Sequence, residues 1–128
     1  MLIAKIKEKK AGIGVVGLGY VGLPLILEFG KAGFPVTGLD IDRTKIDSLS
    51  AGKSYIRHIS EESIRSLARG GRWELTTDFS AVSRLDCIII CVPTPLNHNR
   101  APDMTFIVST AQQISPHLRK GQMVILES

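Results

Sequence analysis

Ile13-Gly14-Val15-Val16-Gly17-Leu18-Gly19-Tyr20-Val21-Gly22 decides how this chain folds. Residues Ala11 to Val16 are small or apolar throughout, as in a strand buried on both faces. Gly17-x-Gly19-x-x-Gly22 follows at once, and then a long apolar helix pattern. Each glycine has its own task in that setting. Gly17 lets the chain turn tightly off the strand. Gly19 leaves room for a diphosphate to approach the backbone, and Gly22 lets the helix pack closely on the strand. The helix that follows begins with unpaired N–H groups and the positive end of its dipole, which favour an anion. An acid, Asp40, lies 21 residues beyond Gly19, at the end of the next strand. A glycine loop alone is weak evidence, but strand, loop, helix and acid together point to a dinucleotide.

Outward from that stretch, helices and strands alternate. The first helix runs from about Tyr20 to Ala32, with Pro24 in its first turn and Gly33 as its C-terminal stop. Pro35 to Leu39 reads as the second strand. Asp42 caps a short helix through Leu49, and Ser60 caps another to about Arg69. Ser54 to Ile59 has no assignable pattern. Trp73 to Thr76 is a short third strand, and Asp78 caps a turn of helix to about Arg84. Asp86 to Val92 is apolar on both faces, as a central parallel strand should be. Pro93-Thr94-Pro95 breaks it, a polar loop runs to Pro102, and Asp103 caps the next helix. Met104, Ile107, Val108, Ala111 and Ile114 are expected on its buried face. Gln122 to Leu126 is the fifth strand. Right-handed crossovers make this an α/β fold. We expect a Rossmann-type open parallel sheet in the order 3-2-1-4-5, with helices on both faces and the sixth strand missing. Residues 1–128 form one dinucleotide-binding domain on this reading.

Composition narrows the function. Hydrophobic residues make up 44% of the 128 and charged residues 22%, which suits a globular core. No apolar run approaches the roughly 20 residues needed to cross a bilayer, so no membrane partner is expected. The basic start, Met1 to Lys10, reads as a solvated tail and not a targeting signal. The net charge of +4 is scattered, and one Trp and two Tyr offer little for base stacking, so nucleic acid is not expected either. Cys87 and Cys91 fall in one strand, about 13 Å apart, too far to pair, which fits a reducing cytoplasm.

The candidate site residues follow from position. Asp40 would accept hydrogen bonds from the adenosine ribose and repel the extra phosphate of NADP, so NAD is the expected cofactor. Arg43 pulls the other way, because a nearby arginine can hold that phosphate. Lys45, one helical step beyond, could reach the adenosine or be a solvated surface lysine. Val92, Pro93 and Thr94 end the fourth strand beside the crevice where the strand order reverses, and are either cofactor wall or plain turn. Cys91 reads as a small core residue and not a nucleophile, since no histidine accompanies it in a recognisable pattern. His58, His98 and His117 lack metal-ligand spacing.

Several segments resemble the UDP-glucose/GDP-mannose dehydrogenase family. They are Val15-Val16-Gly17-Leu18-Gly19-Tyr20-Val21-Gly22-Leu23-Pro24, Gly38-Leu39-Asp40-Ile41-Asp42, Cys91-Val92-Pro93-Thr94-Pro95 and Pro102-Asp103-Met104. The Tyr-Val-Gly-Leu-Pro continuation is far more specific than the glycines. The resemblance covers essentially the whole chain, but only the N-terminal, NAD-binding third of a complete enzyme. It implies oxidation of a nucleotide sugar's C6 hydroxyl to a carboxylate, with two hydride transfers to NAD. The family's cysteine nucleophile and its assisting lysine, asparagine and aspartate belong to later segments, and none matches a position here. No catalytic residue is therefore expected in this chain, and the chain alone is expected to be inactive. Gly17, Gly19, Tyr20, Val21, Asp40, Lys45 and Thr94 match the family's cofactor residues. Gly52 to Ile59 resembles the branch acting on UDP-N-acetylhexosamines such as UDP-N-acetylglucosamine, whereas UDP-glucose and GDP-mannose members usually carry an acidic Glu-Pro-Gly-Leu-type motif there. The expected partners are thus NAD and a nucleotide sugar, with homo-oligomerisation through segments beyond these residues. Two rivals stay open: another NAD(P)-dependent dehydrogenase, and a non-enzymatic nucleotide-sensing regulatory domain.

Overall fold

A computed structural model describes residues 2–127. Five parallel strands form one sheet in the order β3-β2-β1-β4-β5, the order expected from the sequence. β1 (Ile13–Val16) is central, with Ile13 in register with Val36 of β2 (Val36–Leu39) on one side and with Cys87 of β4 (Cys87–Ile90) on the other. β3 (Trp73–Thr76) and β5 (Met123–Leu126) are the edges. β1, β2 and β4 are buried at every position, so their apolar runs need no polar alternation.

Side chains alternate between two apolar layers. Ile13 and Val15 of β1, with Cys87 and Ile89 of β4, meet Leu23 and Ile26 of α2 (Gly22–Lys31), Ile46 and Leu49 of α3 (Arg43–Ser50) and Ile64 of α4 (Glu61–Arg69). Val16, Ile88 and Ile90 face the other way, onto Ala81 and Val82 of a 3₁₀ helix (Phe79–Arg84) and Ile114 of α5 (Thr105–Ile114). The expected caps form at three helices. The Asp42, Ser60 and Asp78 side chains accept from the N–H groups of Thr44, Ser63 and Ser80.

Two features depart from the sequence reading. Residues Leu2–Lys7, read as a solvated tail, are ordered as a helix, α1, that buries none of its residues fully. Leu2 and Ile6, one turn apart, pack against the first apolar layer, and the Lys5 ammonium lies 3.1 Å from the Asp86 carboxylate. A six-residue helix is unstable alone; these contacts hold it. The buried face of α5 is also different. Thr110 and Ile114 are its buried residues, while Met104, Val108 and Ala111 are exposed. This helix is apolar on more than one side, so its pattern does not single out the face that meets the sheet. The Asp103 side chain does bond the Thr105 N–H, at 2.9 Å.

Candidate functional site

The carboxyl ends of β1, β2 and β4 open into one cleft of about 540 Å³, at the point where the strand order reverses. The chain leaves β1 under tight control. Gly17 has φ +94°, a left-handed backbone that a side chain would strain, and a Cβ there would also lie 2.7 Å from the Cys91 carbonyl oxygen. Its N–H donates to Leu39 O at 2.8 Å, and the Cys91 N–H donates to Val16 O at 2.7 Å. Gly22 approaches the same turn from the helix side: a Cβ on it would stand 1.7 Å from the Gly17 carbonyl oxygen.

Gly19 is different. A Cβ there would meet nothing within 4 Å. The fold therefore has no need of a glycine at this position, but a ligand approaching the backbone would. The N–H groups of Gly19 and Tyr20 find no backbone acceptor among the described residues. The start of α2, at Val21, has no side-chain cap. Bare donors, an open floor and a helix N-terminus suit a diphosphate.

Asp40 is 7% exposed and is bonded to the turn itself. Its Oδ2 accepts from the Leu18 N–H at 2.8 Å and its Oδ1 from the Asp42 N–H at 2.9 Å. Each carboxylate oxygen can take a second donor, so the ribose hydroxyls retain acceptors. Lys45 Nζ lies 4.0 Å from Asp40 Oδ2 and 5.9 Å from the centre of the Tyr55 ring.

Gly17, Gly19, Tyr20, Val21, Asp40, Lys45, Val92, Pro93 and Thr94 all line this cleft. Gly22 is buried beneath the turn instead of lining it. Arg43 is turned away, with its Nε 3.3 Å from Asp47 Oδ1 on the exposed side of α3. The cleft also contains residues that sequence reasoning did not single out. Ile41, Phe79 and Phe106 give it apolar walls, and Thr110 and Gln113 reach it from α5. No single periodicity marks them, because they come from a loop, the start of the 3₁₀ helix and successive turns of α5 that the sheet brings together. Cys91 borders the cleft but suits no nucleophilic role. Burial, with the Glu127 carboxylate adding to it, pushes its thiol up to about 11, so the thiolate is scarce at neutral pH. Among the described residues no cluster of side chains could hold a metal ion, and no helix is long and apolar enough to cross a membrane.

Comparison with known proteins agrees with this geometry. The model of the UDP-glucose/GDP-mannose dehydrogenase family, NAD binding domain, matches residues 11–128. UDP-N-acetyl-D-mannosamine dehydrogenase of Escherichia coli (strain K12) is 38% identical over 119 residues, 92% of this chain and 28% of that protein. UDP-N-acetyl-D-glucosamine 6-dehydrogenase of Pseudomonas aeruginosa is 37% identical over 120 residues, 94% of this chain and 28% of that protein. Among solved structures, a ternary complex of GDP-mannose dehydrogenase from Pseudomonas aeruginosa superposes with a TM-score of 0.84 at 34% identity, over 89% of this chain and 27% of that one. The chain thus spans less than a third of the length of these relatives. Fold, cleft and similarity agree: the chain belongs to the UDP-glucose/GDP-mannose dehydrogenase family and is an NAD-binding domain of that family.

Proposed function

We propose that this domain is the cofactor-holding part of a longer enzyme that oxidises the C6 hydroxyl of a UDP-N-acetylhexosamine to a carboxylate. The observation that carries the cofactor half of this reading is the Gly19 turn, open on its ligand side and tied to Asp40 through Leu18. NAD, when bound, supplies the hydride acceptor for each of the two oxidations. The Gly19 and Tyr20 N–H groups donate to its diphosphate, and the N-terminus of α2 adds its dipole. Asp40 accepts from the adenosine ribose and sets a negative charge against any phosphate on that sugar. Lys45 holds the Asp40 carboxylate in place from the α3 side. Val92, Pro93 and Thr94 form the opposite wall, and Phe79 and Phe106 keep water from its apolar side.

The substrate half rests on the relatives. Two of them carry the names of UDP-N-acetylmannosamine and UDP-N-acetylglucosamine enzymes, which supports the N-acetylhexosamine branch at this level. The nucleophile and its helpers lie outside these residues on this reading, so the chain alone binds NAD and oxidises nothing. The test has two arms. Calorimetry on residues 1–128 should give tighter binding of NAD than of NADP, and no nucleotide sugar should yield NADH. The longer enzyme should form NADH with UDP-N-acetylglucosamine, UDP-N-acetylgalactosamine or UDP-N-acetylmannosamine. Activity confined to UDP-glucose or GDP-mannose overturns the branch, and tighter NADP binding overturns the role given to Asp40.

A further inference from the structure

The segment between α3 and α4 has no regular structure, yet it touches the glycine turn at two points. The Tyr55 hydroxyl donates to the Leu18 carbonyl oxygen, 37 residues back in the chain. The His58 ring stacks on that of Tyr20, with centroids 6.4 Å apart and planes at 24°. Between these contacts, Ile56 is buried in the first apolar layer, which anchors the segment. Ser54 Oγ closes a small turn with Ile56 through both its carbonyl and its N–H.

The Leu18 contact matters because of which peptide it holds. The Leu18 carbonyl shares a peptide plane with the Gly19 N–H, and that peptide is trans. In a trans peptide the C=O and N–H point in opposite directions. Fixing the carbonyl on the Tyr55 side therefore turns the Gly19 N–H to the other side, where Gly19 lines the cleft. The preceding peptide is held as well, since the Leu18 N–H is bonded to Asp40. Two neighbouring peptide planes of the turn thus each have a side-chain partner, one from the end of β2 and one from the segment beyond α3. Tyr55 itself does not line the cleft.

We propose that Tyr55 is a positioning residue for the cofactor: its hydroxyl orients the Gly19 N–H toward the diphosphate without touching the ligand. This rests on the reading of the cleft as the NAD site. The hydroxyl is well suited to the task. Burial, with the Asp40 and Asp42 carboxylates adding to it, pushes the phenol far up, so it remains a donor well above neutral pH. Lys45 over the ring holds it from the other side.

The test compares wild-type residues 1–128 with Tyr55→Phe, which keeps the ring and its packing and removes only the donor. Calorimetry should show NAD and ADP binding about tenfold more weakly to the variant, the size of one lost hydrogen bond. Adenosine, which has no phosphate, should bind both proteins alike by NMR titration. The Gly19 amide resonance of the ligand-free variant should move while those of β1 stay in place, and Tyr55→Leu should weaken NAD as Tyr55→Phe does. Equal NAD affinity in wild type and Tyr55→Phe overturns the proposal and leaves the NAD site standing. An equal loss for adenosine, with melting lowered in step, also overturns it, because that is the pattern of a merely structural tyrosine. Failure of the wild type to bind NAD overturns both.

Discussion

Gly19 and Gly22 carry the same letter in the fingerprint and serve different ends. A side chain at Gly22 would collide with the Gly17 carbonyl, whereas one at Gly19 would project into open space. Gly22→Ala should therefore unfold or strongly destabilise the chain, costing about 3 kcal/mol or more. Gly19→Val should melt within about 3 °C of wild type and lose NAD binding. Circular dichroism melts beside calorimetry separate the two, and a Gly19→Val protein that bound NAD normally would refute the site. The fingerprint already assigned Gly22 to close helix packing and Gly19 to the ligand side; the surroundings of each Cβ add the atom that Gly22 would strike and the open space at Gly19. Asp40 was likewise legible as an acid at a strand end, but its bonds to the Leu18 and Asp42 N–H groups were not. Asp40→Ala would remove a brace of the turn together with a charge. Cofactor preference is therefore better measured on the wild type.

At the scale of elements, the least legible piece is α1, and Asp86 explains why. This carboxylate stands just before β4 and gathers the Gly12 N–H at 2.8 Å, Lys5 of α1 at 3.1 Å and Arg119 at 3.5 Å. Burial alone would push its carboxyl up, but these donors together outweigh it and hold it below the usual carboxylate range. A depressed folded-state pKa stabilises the fold above the unfolded value, about 3.9, and that contribution is lost as pH falls through the folded value. Asp86→Asn should thus cost about 1–2 kcal/mol at pH 7, with the gap to wild type closing below about pH 4. Urea melts across that range read it, and a gap that stayed constant with pH would refute the pairing. The strands and capped helices were legible because their signals are local: continuous apolar runs, and Asp or Ser just before a helix. α1 and the exposed face of α5 were not, because both depend on partners brought in by the sheet. Lys5 meets a carboxylate 81 residues away, a separation that no local pattern encodes.

For the whole molecule, the sheet is well covered at its centre and bare at one side. Met123, Val124, Ile125 and Leu126 of β5 are between 39% and 51% exposed, and among the described residues β5 pairs only with β4. An apolar edge of this kind invites other chains. Sedimentation should show residues 1–128 associating as concentration rises, and Val124→Lys should shift the population toward monomer with NAD affinity unchanged within about twofold. A wild type that stayed monomeric throughout would refute this. The strand order has another consequence, in time. Ile13 of β1 pairs with Cys87, 74 residues later, whereas its β2 partner Val36 follows after only 23. On a ribosome adding roughly 5–20 residues per second, the central strand waits on the order of 4–15 s with one flank open before its second neighbour is even made. The central strand of the nucleotide cradle is therefore also the one with the longest vulnerable interval during synthesis, when a holding chaperone would find it first.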